Sequence, residues 1–251
     1  MAENTYTFGR DELAARRMEL LDQVFGPAGD RVLRELASGR EEWGQVLDLG
    51  CGPGLTTGRL DNVLRPRRLV GLDLAETFLR LARERVPGAT FLSHDLNGLP
   101  YPGSPADLIY ARYVLSHLPE PARHVAEWRS QLAEDGVLLI EENHSIRAWE
   151  PVFDHYLRCA AEVMGGAGGD LYIGRTLAGT GALIDRVAEI SPPTGLTARM
   201  FRLNLRSWSR HAGPERADEV ARIDDQLGEL EDSSEQGGIT WFLRQLALPR
   251  D

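Results

Sequence analysis

Asp48, Gly50, Gly52 and Gly54 occupy alternate positions in the stretch VLDLGCGPGLTTGRL, Val46 to Leu60. These residue types suit one task, which is bringing main-chain N–H groups against a ligand: glycine has no Cβ to hold the ligand away and enters positive φ at little cost. Two more acids follow at the ends of apolar runs, Asp73 in RLVGLDL and Asp95 in FLSHDL. A carboxylate at Asp73 can accept both hydroxyl hydrogens of a ribose, and one at Asp95 can accept from an exocyclic adenine amine. The dinucleotide fingerprint is spaced G-x-G-x-x-G, whereas the third glycine here comes one residue early, which weakens a nicotinamide reading. Asp73 alone is compatible with either a dinucleotide or an adenosyl ligand. Three acids at three successive strand ends suit a cationic ligand better than a pyrophosphate.

To place these residues at one edge, the chain needs strands that end together. From Val46 short β-rich runs alternate with helical ones: VLDLG then LTTGRLDNVL, RLVGLDL then AETFLRLARERV, ATFLSHD, then ADLIYAR, PARHVAEWRSQLA and GVLLIEE. That alternation implies parallel pairing through crossover helices. The expected fold is α/β: a Rossmann-like, doubly wound, mostly parallel seven-stranded sheet with N-terminal helices and a helical lid. Apolar residues at helical spacing from Asp11 to Ala37, interrupted by Gly26-Pro27, predict an N-terminal helical cap over residues 6–42. The cofactor-binding core is expected over 46–142 and the helical lid over 145–186. Within that lid Ile146 to Met164 reads as one helix, GGAGG (165–169) as a flexible joint and Arg175 to Val187 as a further helix. Residues 187–251 are expected to add strands over Val187–Ser191 and Ile239–Leu248, separated by a charged helix from Glu215 to Glu231. No internal repeat or long linker divides the chain, so one domain of 1–251 is expected.

Composition removes several function classes. A net charge of −10 in 251 residues argues against nucleic acid or an anionic membrane as the main partner. The start has no basic leader with an apolar stretch, and no run approaches a membrane span, so a soluble cytoplasmic protein is expected. All 28 basic residues are arginine; without lysine there is neither a GK[ST] phosphate loop nor a Schiff base to pyridoxal phosphate. Cys51 lies in the glycine loop and Cys159 far from it, a spacing that fits neither a disulfide framework nor a zinc site, and no metal is expected.

The segments VLDLGCGPG, VGLDLAETFLRLA, FLSHDL, DLIYARYVLSHLPEP and LAEDGVLLIEE follow one another over Val46 to Glu142. In this order they resemble the class I S-adenosylmethionine-dependent methyltransferases, more closely the small-molecule group that includes the ubiquinone-type and trans-aconitate-type enzymes. The resemblance implies S-adenosyl-L-methionine as cofactor and S-adenosyl-L-homocysteine as product. It places Gly50, Cys51 and Gly52 along the methionine part, with Asp48 orienting the loop and reaching the ammonium through water. It assigns Asp73 to the ribose, Leu74 to adenine packing, Asp95 to the adenine amine and Leu96 to a backbone contact beside it. Ala111 and Arg112 would present carbonyls to the ammonium and side chains toward the methyl. Glu134-Asp135-Gly136 stands where the family commonly has Pro-Gly-Gly.

Methyl transfer from a sulfonium is an in-line displacement, and a base is needed only where the nucleophile must lose a proton. His144, following the fifth strand, is the first candidate for that base and His117 the second. Tyr113, Trp149, Phe153, Tyr172 and Arg175 are the candidates for contacting an acceptor, and Tyr6, Arg16 and Arg17 for a second lid. The expected activity is methyl transfer to a small molecule, at an oxygen of a natural product or quinone-like compound. The alternatives are a cyclisation or rearrangement on the same cofactor fold, or an S-adenosylmethionine-sensing binding protein. The expected partner is a small-molecule substrate, with neither nucleic acid nor membrane; a homodimer is compatible with the sequence.

Overall fold

The computed structural model describes residues 12–209 and 213–250. Five parallel strands, β1 (Gln45–Leu49), β2 (Arg68–Asp73), β3 (Thr90–Ser93), β4 (Ala106–Arg112) and β5 (Leu132–Ala148), form most of a seven-stranded sheet. Its order is β3-β2-β1-β4-β5-β7-β6, with β7 (Ile239–Pro249) antiparallel to both β5 and β6 (Ile184–Ile190). Helices α2 (Leu55–Leu64), α3 (Glu76–Arg85) and α4 (Pro121–Ser130) make the crossovers. The chain winds outward through β2 and β3, then returns to place β4 on the other side of β1. That reversal opens a crevice at the carboxyl ends of the strands, where open α/β sheets bind ligands.

The central strands are apolar because both faces are covered. Leu47 and Leu49 pack with Ile109, Leu138 and Trp128 on one side; Val46 and Leu108 pack with Leu33 and Leu60 on the other. A third apolar cluster lies beyond the sheet's carboxyl edge. Phe25 of α1 (Glu12–Ser38), Phe153 and Tyr156 of α5 (Pro151–Gly166), Trp208 of α6 (Thr194–Trp208), Ile223 of α7 (Ala217–Leu230) and Trp241 of β7 build it.

The outer elements differ from their sequence reading. The expected N-terminal helices are a single helix, α1, which continues through Pro27. Packing overrides the break, since Val24, Phe25 and Ala28 on either side of it enter the same cluster. Gly29 brings this helix against the sheet: a Cβ there would lie 3.2 Å from the Glu141 carboxylate and 3.5 Å from the Tyr110 hydroxyl. Tyr6 and the start of the expected cap fall outside the described residues. The fifth strand does not stop at Glu142; it runs to Ala148 because β7 pairs with it as far as Ala148 opposite Ile239. The lid helix therefore begins at Pro151, and Arg175 to Val187 holds a single turn, a loop and the start of β6 in place of a helix. The GGAGG run finishes α5 and is tied down, with Gly169 N donating to Met164 O at 2.9 Å and Asp170 N to Ser116 O at 3.0 Å.

Candidate active site

The glycine loop leaves β1 with Gly50 at φ +63°, Gly52 at +52° and Gly54 at +81°, the left-handed region in which side chains are strained. A Cβ on Gly50 would sit 2.8 Å from Val114 Cγ2. Asp48, 1% exposed, fixes the start of α2 by accepting from Thr56 Oγ1 and Thr57 Oγ1, both at 2.6 Å. Burial raises its pKa to about 6. Asp48 supports the loop from beneath and does not itself line the cavity above it. Burial also raises the Cys51 thiol, which stays protonated against the loop.

Asp73, at the end of β2, accepts from Gly52 N at 2.9 Å through Oδ2 and from Ala75 N at 2.8 Å through Oδ1. These two bonds couple its carboxylate to the loop. Asp95 is oriented by Asn97, whose backbone N–H (3.0 Å) and side-chain amide (2.8 Å) both reach Oδ1 and help hold its pKa below the usual value. Leu74 and Leu96 lie beside these acids, and all four residues line one cavity with Gly50, Cys51 and Gly52. Two carboxylates, two aliphatic faces and a glycine cradle fit the ribose, adenine and methionine parts of an adenosyl sulfonium.

The other end of the same cavity is a chamber with aromatic walls. Phe25 meets Tyr113 edge-on at 5.2 Å and Trp241 at 5.5 Å, Trp241 meets Phe201 at 5.7 Å, and Phe201 stacks on Tyr156 at 4.0 Å. Tyr113 holds φ +57°, an uncommon conformation for a bulky residue, and its backbone N–H donates to Glu141 O at 3.0 Å. Among the polar atoms of this chamber, Tyr113 Oη, Asn143 Oδ1 and Asn204 Oδ1 are buried and make no hydrogen bond within the protein. Orphaned buried polar atoms are costly, so three of them on residues that line one chamber point to a ligand that satisfies them.

Of the two candidate bases, His117 lines the cavity and His144 does not. The reason is a bulge: β5 pairs Asn143 with Leu243 and then Ser145 with Phe242, so His144 is the extra residue. Asn143 and Ile146 turn into the cavity, while His144 sits outside with Nδ1 3.2 Å from Ser145 Oγ and its carbonyl accepting from Arg175 Nε at 2.7 Å. His117 is held in a single turn, Leu115–His117, whose Leu115 N–H donates to buried Glu142 at 2.8 Å. Burial, assisted by the nearby Arg17 charge, pushes the His117 pKa down to about 3, so its ring is neutral at physiological pH.

Four of the five expected acceptor contacts lie elsewhere. Trp149 is 56% exposed beneath the Arg147 guanidinium, and Tyr172 is covered by Arg175 at 4.6 Å; none of the three expected residues Trp149, Tyr172 and Arg175 reaches the cavity. Phe153 is fully buried against Phe201, behind the chamber wall. Tyr113 does line the chamber. Ala111 is buried within the sheet and outside the lining, whereas Arg112 lines the cavity floor with its guanidinium 3.0 Å from Asp22 Oδ1. Phe25, Phe201, Asn204 and Trp241 escape the sequence reading because they come from three elements distant in sequence, α1, α6 and β7, with no shared motif. The only signal for Tyr156 is its helical spacing after Phe153.

Residues 47–140 match the family model described as a methyltransferase domain. A trans-aconitate 2-methyltransferase from Azoarcus sp. is 38% identical over 96 residues, 38% of this chain and 38% of that protein. One from Methylobacterium nodulans is 33% identical over 158 residues, 59% of this chain and 60% of that protein. The chain thus matches less than two thirds of the length of either relative. A solved structure from Anaeromyxobacter dehalogenans, described as a proposed type II methyltransferase, superposes with a TM-score of 0.58 at 21% identity, covering 88% of this chain and 97% of that one. Motif order, sheet topology and these matches agree over one part of the chain: residues 47–140 are similar to the methyltransferase domain of S-adenosylmethionine-dependent enzymes.

Proposed function

We propose that this protein transfers a methyl group to a hydroxyl oxygen of a small acceptor with an aromatic or otherwise apolar body, a natural product or a quinone-like compound. One observation carries the reading. A single cavity joins the glycine loop, Asp73 and Asp95 at one end to aromatic walls with three orphaned polar atoms at the other. Bound S-adenosylmethionine supplies an electrophilic methyl on a sulfonium. Asp73 orients that cofactor by accepting from its ribose while remaining tied to the loop, and Leu74 and Leu96 enclose its base. Phe25, Tyr156, Phe201 and Trp241 exclude water and align the acceptor body, so alignment and desolvation supply much of the catalysis. Asn143 and Asn204 accept from acceptor hydroxyls, and His117, a weak base because burial lowers its pKa to about 3, accepts a hydrogen bond from the reacting hydroxyl and takes its proton only as methylation makes that oxygen acidic.

The trans-aconitate enzymes among the relatives suggest another acceptor, a tricarboxylate. The chamber favours a different compound. Arg112 is paired with Asp22, and the acceptor end is walled by Phe25, Tyr156, Phe201 and Trp241. The test supplies methyl-labelled cofactor with hydroxylated aromatics, hydroxyquinones and trans-aconitate. Label should enter the hydroxylated compounds; label entering trans-aconitate alone would overturn the proposed acceptor.

A further inference from the structure

On the far side of α5 from the cofactor, three side chains that could hold a metal converge. His155 and Cys159 are one helical turn apart on α5, and Glu219 comes from α7. One ligand atom from each lies within 4.8 Å of the others. His155 Nε2 is 2.8 Å from Glu219 Oε1, and the sulfur of buried Cys159 lies within 4.8 Å of the ligand atoms of both. Arg216 approaches Glu219 from its other oxygen, Oε2, at 3.9 Å and is itself paired with Glu162, so Oε1 stays turned toward His155 and Cys159. None of the three lines the cofactor cavity.

From this geometry we infer a zinc site of three protein ligands, His155, Cys159 and Glu219, with water in the fourth position. The ligand chemistry selects the ion: thiolate with imidazole and one carboxylate suits Zn²⁺ rather than Ca²⁺ or Mg²⁺, which take oxygen. Charge also balances. Thiolate and carboxylate neutralise the dication, and the Arg216–Glu162 pair beside it adds no net charge. On binding, one proton leaves the Cys159 thiol for solvent and the neutral imidazole donates its lone pair; no oxidant or reductant takes part. Nitrogen and oxygen ligands on tetrahedral zinc stand roughly 3.3 Å apart, given bonds near 2.0 Å, so the present hydrogen bond opens by about half an ångström. Tyr156 and Ala160, the neighbours of His155 and Cys159 in sequence, line the acceptor chamber. The ion would therefore hold α5 against α7 directly behind that wall. Cysteine spacing could not reveal the site, since its third ligand arrives from another helix.

Cobalt(II) is the probe. Chelator-treated full-length protein should bind one equivalent, with a near-ultraviolet thiolate-to-cobalt charge-transfer band that Zn²⁺ abolishes by displacement. Cys159→Ser should lose the band, and His155→Ala and Glu219→Gln should weaken cobalt binding at least about 10-fold. As a check independent of those variants' folding, Zn²⁺ should protect Cys159 of the parent from alkylation, read by peptide mass, and leave Cys51 unprotected. Absence of a thiolate band, its persistence in Cys159→Ser, or equal alkylation of Cys159 with and without Zn²⁺ would show a triad that holds no metal and overturn the site.

Discussion

His117 and His144 make opposite predictions, although one follows β4 and the other lies in β5 near the same edge of the sheet. His117 lines the cavity and His144 is turned out of it by the β5 bulge. Replacing His117 with Gln keeps approximate size and polarity but removes the imidazole nitrogen that faces the reacting hydroxyl, so turnover should fall by about 10², the lower end for a base as weak as this one, while cofactor affinity holds. His144→Gln should keep nearly full turnover. Steady-state kinetics on the two variants decides between them, and loss of activity in His144→Gln alone would reverse the assignment. The residues that line the proposed cofactor end of the cavity were legible in the sequence because each belongs to a contiguous motif: Gly50 to Gly52 after one strand, Asp73-Leu74 and Asp95-Leu96 after the next two. The bulge that removes His144 depends on register with β7, which no local motif encodes.

At the scale of elements, α1 is held over the cavity by a charge cluster. Asp22 takes Arg59 at 2.7 Å and Arg112 at 3.0 Å while Met18, Leu21 and Phe25 of the same helix line the cavity. Asp22→Asn removes one of the two acids that face buried Arg112, leaving Glu141, and should cost about 1–3 kcal/mol of stability by urea unfolding, with faster hydrogen exchange along α1. Unchanged stability and exchange would mean that apolar packing alone holds the helix. The turn carrying His117 has its own support in Glu142, whose pKa burial raises to about 8. Its carboxyl is protonated in the fold and ionised when unfolded at intermediate pH, so this group's contribution is full below the unfolded value near 4.5 and is lost as pH rises through about 8. Glu142→Gln should therefore gain stability relative to the parent between pH 5 and 8 in parallel melts; a constant difference would contradict the buried neutral carboxyl. The β–α alternation that creates this edge was readable from Val46 to Glu142, where each run has one period. Pairing with β7 extends β5 and packing carries α1 through Pro27, and both effects arise from residues distant in sequence.

Over the whole molecule the two halves of the cavity have different origins. The family match spans residues 47–140, which hold the glycine loop, Asp73, Asp95 and the turn around His117. The chamber walls come mostly from outside it, in α1, α5, α6 and β7. Likeness to known methyltransferases therefore bears on the cofactor end, and the acceptor must be argued from the chamber's own aromatic and amide groups. The central claim is that the loop, Asp73 and Asp95 form an S-adenosylmethionine site, and calorimetric titration of the full chain tests it most directly. S-adenosylmethionine and S-adenosylhomocysteine should each bind with one-to-one stoichiometry, NAD should give no heat of binding, and Asp73→Ala should weaken both adenosyl ligands by about 10- to 100-fold through loss of charge-assisted ribose hydrogen bonds. Saturable binding of NAD with no response to either adenosyl compound, or unchanged affinity in Asp73→Ala, would contradict the account.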